Sequence, residues 1–337
     1  MCRVEEAESG ARGRQLTRKV HRVIAMTVAI LAVCSATLMA AQILNNDPNM
    51  LPPDLPPGPL VFIPDRPATF HQFKAFVETP PAELARQLPE LKHLQPANSQ
   101  DELPEILSRV GERLKIFFTN FPNTACSERV TSTVDSPMQP AETHYDHVFN
   151  YLVLAKGGTN QNLFREYRTD DRGRPVSMPD TGGVVTIGFA GAIAHFYPDY
   201  QPDSRFRLLG REEMRGQDTY VLGFAQRPER GRRVQILAFG SHRGTAFMQG
   251  VAWIDAKTYE IVRMRTDILQ ETGDVDLGQE TTEVDYAPVS FKHSNQTLLV
   301  PKEVTVFGRL GRYSFHNFHR YSDYRIFKVE AEEKRPG

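Results

Sequence analysis

From Cys126 onward, apolar and polar residues alternate at period two in a series of short stretches. In an extended chain this alternation puts successive side chains on opposite sides, so each stretch presents one face to a core. The stretches are 143–156 (THYDHVFNYLVLAK), 161–169, 219–226, 234–239, 245–255, 261–269, 280–289, 298–307 and 313–330. Turn residues separate them, among them Asp170-Asp171-Arg172-Gly173, Arg230-Gly231, Asp255-Ala256-Lys257-Thr258, Gly273-Asp274 and His293-Ser294-Asn295. Such short connections join neighbouring antiparallel strands, because a parallel crossover needs a dozen residues or more. The reading is an antiparallel meander. One interruption, Phe189–Tyr197 (FAGAIAHFY), is apolar, compatible with a helix and closed by Pro198, so it predicts a short helix lying across the sheet.

Upstream of Cys126 the period changes to that of a helix. Residues 68–77 predict a short helix with Phe70, Phe73, Phe76 and Val77 on one side. Thr79-Pro80-Pro81 reads as an N-cap followed by proline in the first turn, opening a helix to about Leu94 with Leu84, Leu88 and Leu91 on one face. Ser99 and Glu102 have capping-box spacing. They predict a helix to about Phe118 carrying Leu103, Ile106, Leu107, Val110, Leu114, Phe117 and Phe118, ended by Pro122.

The N-terminal part is built differently. Val23–Leu44 holds 22 residues without a charge, preceded by Arg18, Lys19 and Arg22. A span of roughly 20 apolar residues crosses a bilayer, with Lys and Arg kept on the cytoplasmic side. Ala40-Ala41 could serve as a cleavage site, although Leu38 and Met39 suit one poorly, so anchor and cleaved signal both stay open. Leu31-Ala32-Val33-Cys34 resembles a lipoprotein-processing box, with Val33 where a small residue is expected. The next segment, 45–67, contains eight prolines and reads as an extended spacer. The expected localisation is the periplasmic side of a cell envelope, anchored or released.

Charge and cysteine content narrow the function classes. The chain has a formal net charge of −1, and its first 41 residues hold six Lys/Arg against three Asp/Glu, so the remainder is the more acidic part. That excludes the basic footprint of a nucleic-acid binder. Cys126 is the lone cysteine after the apolar segment, so the fold relies on its core rather than on a disulfide, and no cysteine cluster suggests zinc. Cys126 itself reads as a buried thiol rather than a nucleophile.

The segment Gly250-Val-Ala-Trp253-Ile254-Asp255-Ala-Lys-Thr258-Tyr-Glu-Ile261 reads as strand, tight turn and returning strand, with Asp255 and Thr258 capping the turn. In Gly250, Trp253, Ile254, Asp255, Thr258 and Ile261 it resembles a hairpin of the lipoprotein-carrier superfamily, the outer-membrane lipoprotein-sorting (LolA/LolB-like) proteins. The ending Leu299-Val300-Pro301, Tyr313 and Tyr321-Ser322-Asp323-Tyr324 is similar to that of a group of exported bacterial proteins. The resemblance implies a curved sheet that shields acyl chains.

The combined expectation is an α+β fold: a curved, half-barrel-like antiparallel sheet packed with N-terminal and inserted helices. Residues 1–44 form the signal or anchor, 45–67 the linker, 68–122 a helical segment and 123–331 the sheet domain. The expected function is non-catalytic binding of a hydrophobic or lipid-like ligand on the concave face. The candidate residues are Val148, Leu152, Leu154, Phe189, Phe196, Phe247, Val251 and Trp253. These rows suit either a cavity or a core beneath the helices. The alternatives are a structural or interaction domain of the envelope and a metal-dependent envelope hydrolase. For the last, His144, Asp146 and His147 would need a partner such as His316 or His319. No nucleophile elbow, P-loop or His-Glu-x-x-His motif is present. No catalytic residue, metal or cofactor is expected, and protein partners are not legible.

Overall fold

The computed structural model describes residues 42–44, 69–135, 143–155, 164–176, 192–230, 235–239, 242–273, 277–291 and 296–327. Its framework is one large antiparallel sheet with little helix. The strands are β1 (Gln42–Leu44), β2 (Thr69–Gln72), β3 (Gln95–Pro96), β4 (Thr124–Asp135), β5 (Thr143–Ala155), β6 (Phe164–Thr169) and β7 (Ser204–Met214). They continue with β8 (Gln217–Gln226), β9 (Gln235–Phe239), β10 (His242–Asp255), β11 (Ile261–Gly273), β12 (Leu277–Phe291), β13 (Gln296–Leu310) and β14 (Tyr313–Ile326). The order along the sheet is β3-β7-β8-β10-β11-β12-β13-β14-β4-β5-β6, with β9 on β10, β1 on β9 and β2 on β11. The meander holds from β10 to β14 and from β4 to β6, with joins that no local pattern announces: β3 pairs with β7, β8 with β10, and β14 returns to pair with β4, as in Phe318↔Thr131.

Two long strands, β4 and β7, are absent from the period-two stretches. Their buried positions include Glu128, Ser132 and Glu212, so the residues that mark the inside of these strands are polar and the alternation of hydrophobicity vanishes. The segment 68–77 departs from its expected helix. Thr69–Gln72 is a strand, followed by a 3₁₀ turn at Phe76–Glu78. The cause is a free edge: β12 pairs only with Arg263–Asp267 of β11, and β2 takes up Gln270–Gly273 beyond it.

The helices are α1 (Pro81–Gln87) and α2 (Leu103–Asn120). α1 stops short of Leu94 because Pro89 lacks an amide donor and pushes Leu88 into an extended conformation, with a 3₁₀ turn at Pro89–Leu91 carrying the chain on. Leu84, Leu88 and Leu91 are buried all the same. The capping box does not form. Ser99 Oγ accepts from the Asp101 amide at 3.4 Å, and α2 begins after Glu102 without a side-chain cap. The Gln100 amide group instead donates to Leu208 O (2.9 Å) and accepts from Leu208 N (2.8 Å), which holds its segment alongside β7.

Both faces of the sheet are covered over β7, β8 and β10, whereas toward β4 and β5 one face is open, with Arg129, Thr131 and Val148 exposed. On one side, Ile106, Val110 and Leu114 of α2 pack on a core running from Leu208 and Leu222 through Met264, Val284 and Val304 to Tyr321, Cys126 and Tyr151. On the other, Leu84, Leu88 and Leu91 pack on Leu209, Val221, Val251 and Trp253. Of the expected inserted helix, Ala192–Phe196 is a 3₁₀ turn docked under α2. Gln201 donates to Leu107 O (2.9 Å) and Phe196 O (2.8 Å), while Phe189 lies outside the described residues. Gly250 marks the tightest packing on the α2 face. A Cβ there would lie 2.0 Å from Arg265 O and 2.6 Å from the Phe224 ring, so only glycine fits.

Of the apolar segment Val23–Leu44, only Gln42–Leu44 are among the described residues, and they form β1. The proline-rich spacer lies outside them. Among the described residues no helix is long and apolar enough to cross a membrane.

Candidate functional site

The α2 face carries a buried polar cluster at its β14-β4-β5-β6 end. Register explains its assembly. Glu128 stands opposite Tyr321 on β14 and Phe149 on β5, and Tyr151 stands opposite Arg168 on β6. These residues share one pleat face, so their side chains converge above four adjacent strands.

Glu128 is the hub and has no solvent exposure. It accepts from Arg168 through two guanidinium nitrogens, one of them Nη2 at 2.7 Å. It also accepts from His319 Nδ1 at 2.8 Å and from the Tyr321 hydroxyl at 2.9 Å. Arg168 lies over the rings of Phe149 and Tyr151 at 5.8 and 5.4 Å, and Tyr151 donates to Glu166. A buried charge without such partners would be expelled or neutralised.

The electrostatics follow from burial and pairing. Burial works to raise the Glu128 carboxyl, but Arg168 beside it, with hydrogen bonds from Arg168 and His319, holds it at about 2. Burial likewise disfavours protonated His319 and outweighs Glu128, so the imidazole is held below its ordinary value. It is therefore neutral near pH 7, with Nδ1–H donating to Glu128. Burial and the nearby carboxylates push the Tyr151 and Tyr321 phenols up. Cys126, beneath Glu128 on the same strand, has its thiol pushed up by burial and then by that carboxylate. The cluster thus fixes charge and hydrogen-bond direction, and its thiol stays protonated.

Beside the cluster lie three groups of another kind. Ser132 and Asn317 are direct cross-strand partners on β4 and β14, two residues beyond Val130 and His319. Neither is exposed, and among the described residues Ser132 Oγ and both amide atoms of Asn317 have no hydrogen-bond partner. The Tyr286 hydroxyl on β12, in a residue 4% exposed, has none either. Of these residues the sequence marks His319 as a possible ligand, Cys126 as a buried thiol and Tyr321 as part of the C-terminal ending, and it assigns none of the others a role. Glu128, Ser132 and Asn317 alternate with exposed Arg129, Thr131 and His316 in stretches that look polar throughout.

The residues singled out from the sequence fall elsewhere. Phe149, Tyr151 and Val153 are buried, so Val148, Leu152 and Leu154 alternate onto the α1 face, with Val148 60% exposed. Phe247 alternates with Ala246 and Met248 of the α2-face core and is half-buried. Val251 and Trp253 sit in the α1-face core, where Trp253 Nε1 donates to Glu212 at 2.9 Å. Phe196 joins the α2-face core, packed on Phe206 and Phe224 at 5.1 and 5.7 Å. The structure therefore separates Phe196 from the other described candidates. The hairpin turn forms as expected: Asp255 Oδ1 accepts from the amides of Lys257 and Thr258 at 2.8 and 2.7 Å.

Solved structures match the chain. It is similar to a DUF1329 family protein from Desulfovibrio piger, at 10% identity and a TM-score of 0.31, over 67% of this chain and 93% of that one. It is similar also to a domain from Vibrio parahaemolyticus assigned to outer membrane lipoprotein sorting, at 12% identity and a TM-score of 0.32, over 67% and 94%. A third is the lipoprotein LppX of Mycobacterium tuberculosis, at 11% identity and a TM-score of 0.22, over 68% and 99%. No protein-family model and no curated protein matches the sequence. The functional reading below rests on the residues.

The histidines considered for a metal are engaged separately. Asp146 accepts from Arg129 at 3.0 and 2.9 Å, His144 Nδ1 lies 3.3 Å from Thr133 Oγ1, and His147 stacks on Phe149 at 5.6 Å. Among the described residues no group of three or more His, Cys, Asp or Glu is disposed to hold a metal ion.

Proposed function

We propose that this chain is a non-catalytic protein of the cell envelope that binds a hydrophobic, lipid-like ligand on the α2 face of its sheet. The observation that carries the reading is the composition of that face. A contiguous apolar floor extends from Leu208 to Tyr151, and the Glu128–Arg168–His319–Tyr321 cluster lies at one end of it. An amphiphile has the same division, and pockets for such ligands are mostly apolar with a few convergent polar groups.

In this reading the sheet curls so that the α2 face is concave. Support comes from Tyr286 on β12 and Glu166 on β6. Burial raises the Tyr286 phenol and the Glu166 carboxylate adds to it. These strands stand five places apart, about 24 Å on a flat sheet at the usual spacing. Curling brings their groups within range of each other. The 3₁₀ turn at Ala192–Phe196 and α2 then form the cover. The uncharged segment beginning at Val23 is proposed as the membrane anchor or signal, with the proline-rich spacer holding the sheet domain off the bilayer.

Native mass spectrometry of gently extracted full-length protein tests the reading. A bound mass in the lipid range is expected. Consistent absence of any adduct, together with failure to take up a neutral hydrophobic dye, would remove it.

A further inference from the structure

The segment that carries α1 is fastened to the sheet at its two ends by different chemistry. At the entry, Arg207 Nη1 donates to the carbonyls of Val77 and Thr79 at 3.2 and 3.1 Å. Neither a guanidinium nor a carbonyl changes charge near neutral pH. At the exit, Glu90 on the 3₁₀ turn Pro89–Leu91 pairs with Arg265 of β11. Between these ends Leu84, Leu88 and Leu91 pack with Trp253.

Register gathers charges around the exit. Arg263 stands between Trp253 on β10 and Asp285 on β12, and Arg265 stands between Val251 and Glu283. Directly opposed residues share a face, so all of these lie on the α1 side. Arg265 commits Nε and Nη2 to Asp267 at 2.8 and 3.0 Å. Its Nη1 meets both Glu90 and Glu283, the latter at 3.5 Å. Glu283 also accepts from Arg263 at 2.6 Å. Two carboxyls from different elements thus meet at one nitrogen, their side chains only 11% and 28% exposed. The other neighbours are engaged or turned to solvent. Arg215 reaches Asp285 at 3.0 Å, Thr281 donates to Asp267 at 2.6 Å, Glu303 on β13 pairs with Arg320, and Lys92 and His93 are exposed. The carboxyls Glu90, Asp267, Glu283 and Asp285 therefore outnumber the guanidiniums Arg215, Arg263 and Arg265.

We propose that Glu90 and Glu283 hold one proton between them, and that this proton makes the attachment of the α1 segment pH-sensitive, a clasp that is tightest in mild acid. Two carboxylates meeting in a partly buried site cannot both stay ionised without cost, so one of them keeps a proton. Burial pushes Glu283 up, Arg263 opposes the rise, and the Glu90 carboxyl adds to it. Burial works to raise Glu90 as well, but a hydrogen bond from its own amide, then Arg265, then Glu283, hold it below 4.5. Glu283 therefore contributes stability fully below pH 4.5 and loses it as pH rises through its raised value. Glu90 contributes above pH 4.5 and loses it as pH falls through its lowered value. The clasp is complete around pH 4.5 and loosens toward neutrality.

Trp253 is the chain's one tryptophan and is fully buried, so acrylamide quenching of its fluorescence in full-length protein reads the clasp. The quenching constant is expected to rise about twofold from pH 4.5 to neutral pH as the segment loosens. Glu283→Gln keeps a donor toward Glu90 and has no proton to lose, so it should stay at the low value throughout. Glu90→Gln gives up the charge that meets Arg265 and should stay at the high value throughout. His319→Gln, on the α2 face, should keep the wild-type rise. A flat wild-type profile, a rise that persists in Glu283→Gln, or equal loosening by the two glutamine variants overturns the clasp.

Discussion

Over β7, β8 and β10 the sheet is covered and apolar on both faces, yet the two faces treat polar groups differently. On the α1 face the lone tryptophan is fully buried, and its single polar atom is satisfied by Glu212. Glu212 is itself buried, and further charges on this face are paired, Arg265 with Asp267 at 2.8 Å and Arg263 with Glu283 at 2.6 Å. On the α2 face an ion pair lies in the interior, with uncharged polar groups beside it that have no partner. On the α1 face the buried carboxylate Glu212 serves the indole that packs beside it. The α2 face carries an energetic cost that packing does not explain, and such costs concentrate where proteins bind ligands.

The largest test of this contrast is Arg168→Met. Removing one partner of a buried pair leaves Glu128 charged and uncompensated, and stability should fall by about 3–5 kcal/mol in urea denaturation. Replacing Glu128 with Leu in the same chain should recover most of the loss, since the uncompensated charge goes with it. A negligible effect of Arg168→Met would mean that the cluster is not the buried hub described.

Next in size is Leu84→Ala, a cavity on the α1 face. It should cost about 2–5 kcal/mol and leave the uptake of a neutral hydrophobic dye unchanged. A loss of dye binding as large as the loss of stability would show that the two faces are not independent.

Acid should expose the α2 face in two steps. His319 is held below 6.5, so the unfolded chain takes up a proton there that the folded chain refuses. Its contribution is present above pH 6.5 and is lost as pH falls below it. Glu128, held at about 2 against 4.5, contributes above pH 4.5 and loses that contribution as pH falls toward 2. Each step has a limiting slope of about 1.4 kcal/mol per pH unit. His319→Gln should flatten the upper window and leave the lower one, as read by thermal melts across pH. An unchanged upper window would assign it to another group.

The smallest effect is expected at Val148, which is 60% exposed on the α1 side. Val148→Ser should change stability by no more than about 0.5 kcal/mol and leave lipid affinity intact. A loss of binding there would move the ligand to the opposite face.

Much of the fold was legible because its strands are long and their turns carry chemistry of their own. Asp255 and Thr258 in the β10–β11 hairpin act through backbone hydrogen bonds that any chain with those residues can make locally. The stretches with the clearest alternation, 245–255 and 261–269, are strands in the structure. β4 and β7 were hidden because Glu128, Ser132 and Glu212 occupy buried positions. The candidate site was hidden for the same reason. A buried glutamate is recognisable only beside the arginine that neutralises it, and Arg168 lies 40 residues further along the chain.

The sequence by itself determined the period of each strand, the hairpin at Asp255, and the helical run from Leu103 to the residue before Phe121. Tertiary structure alone decided which side of each strand is the inside. Alternation distinguishes inside from outside only when one face meets water. Over β7, β8 and β10, α1 covers one face and α2 the other, so apolar residues there are buried on both. Val251 and Ala252 are adjacent in the chain, equally inaccessible, and belong to different cores. The side that holds the buried polar cluster is therefore decided by the long-range pairing of β14 with β4, which gathers Glu128, Arg168 and His319 on the side of α2.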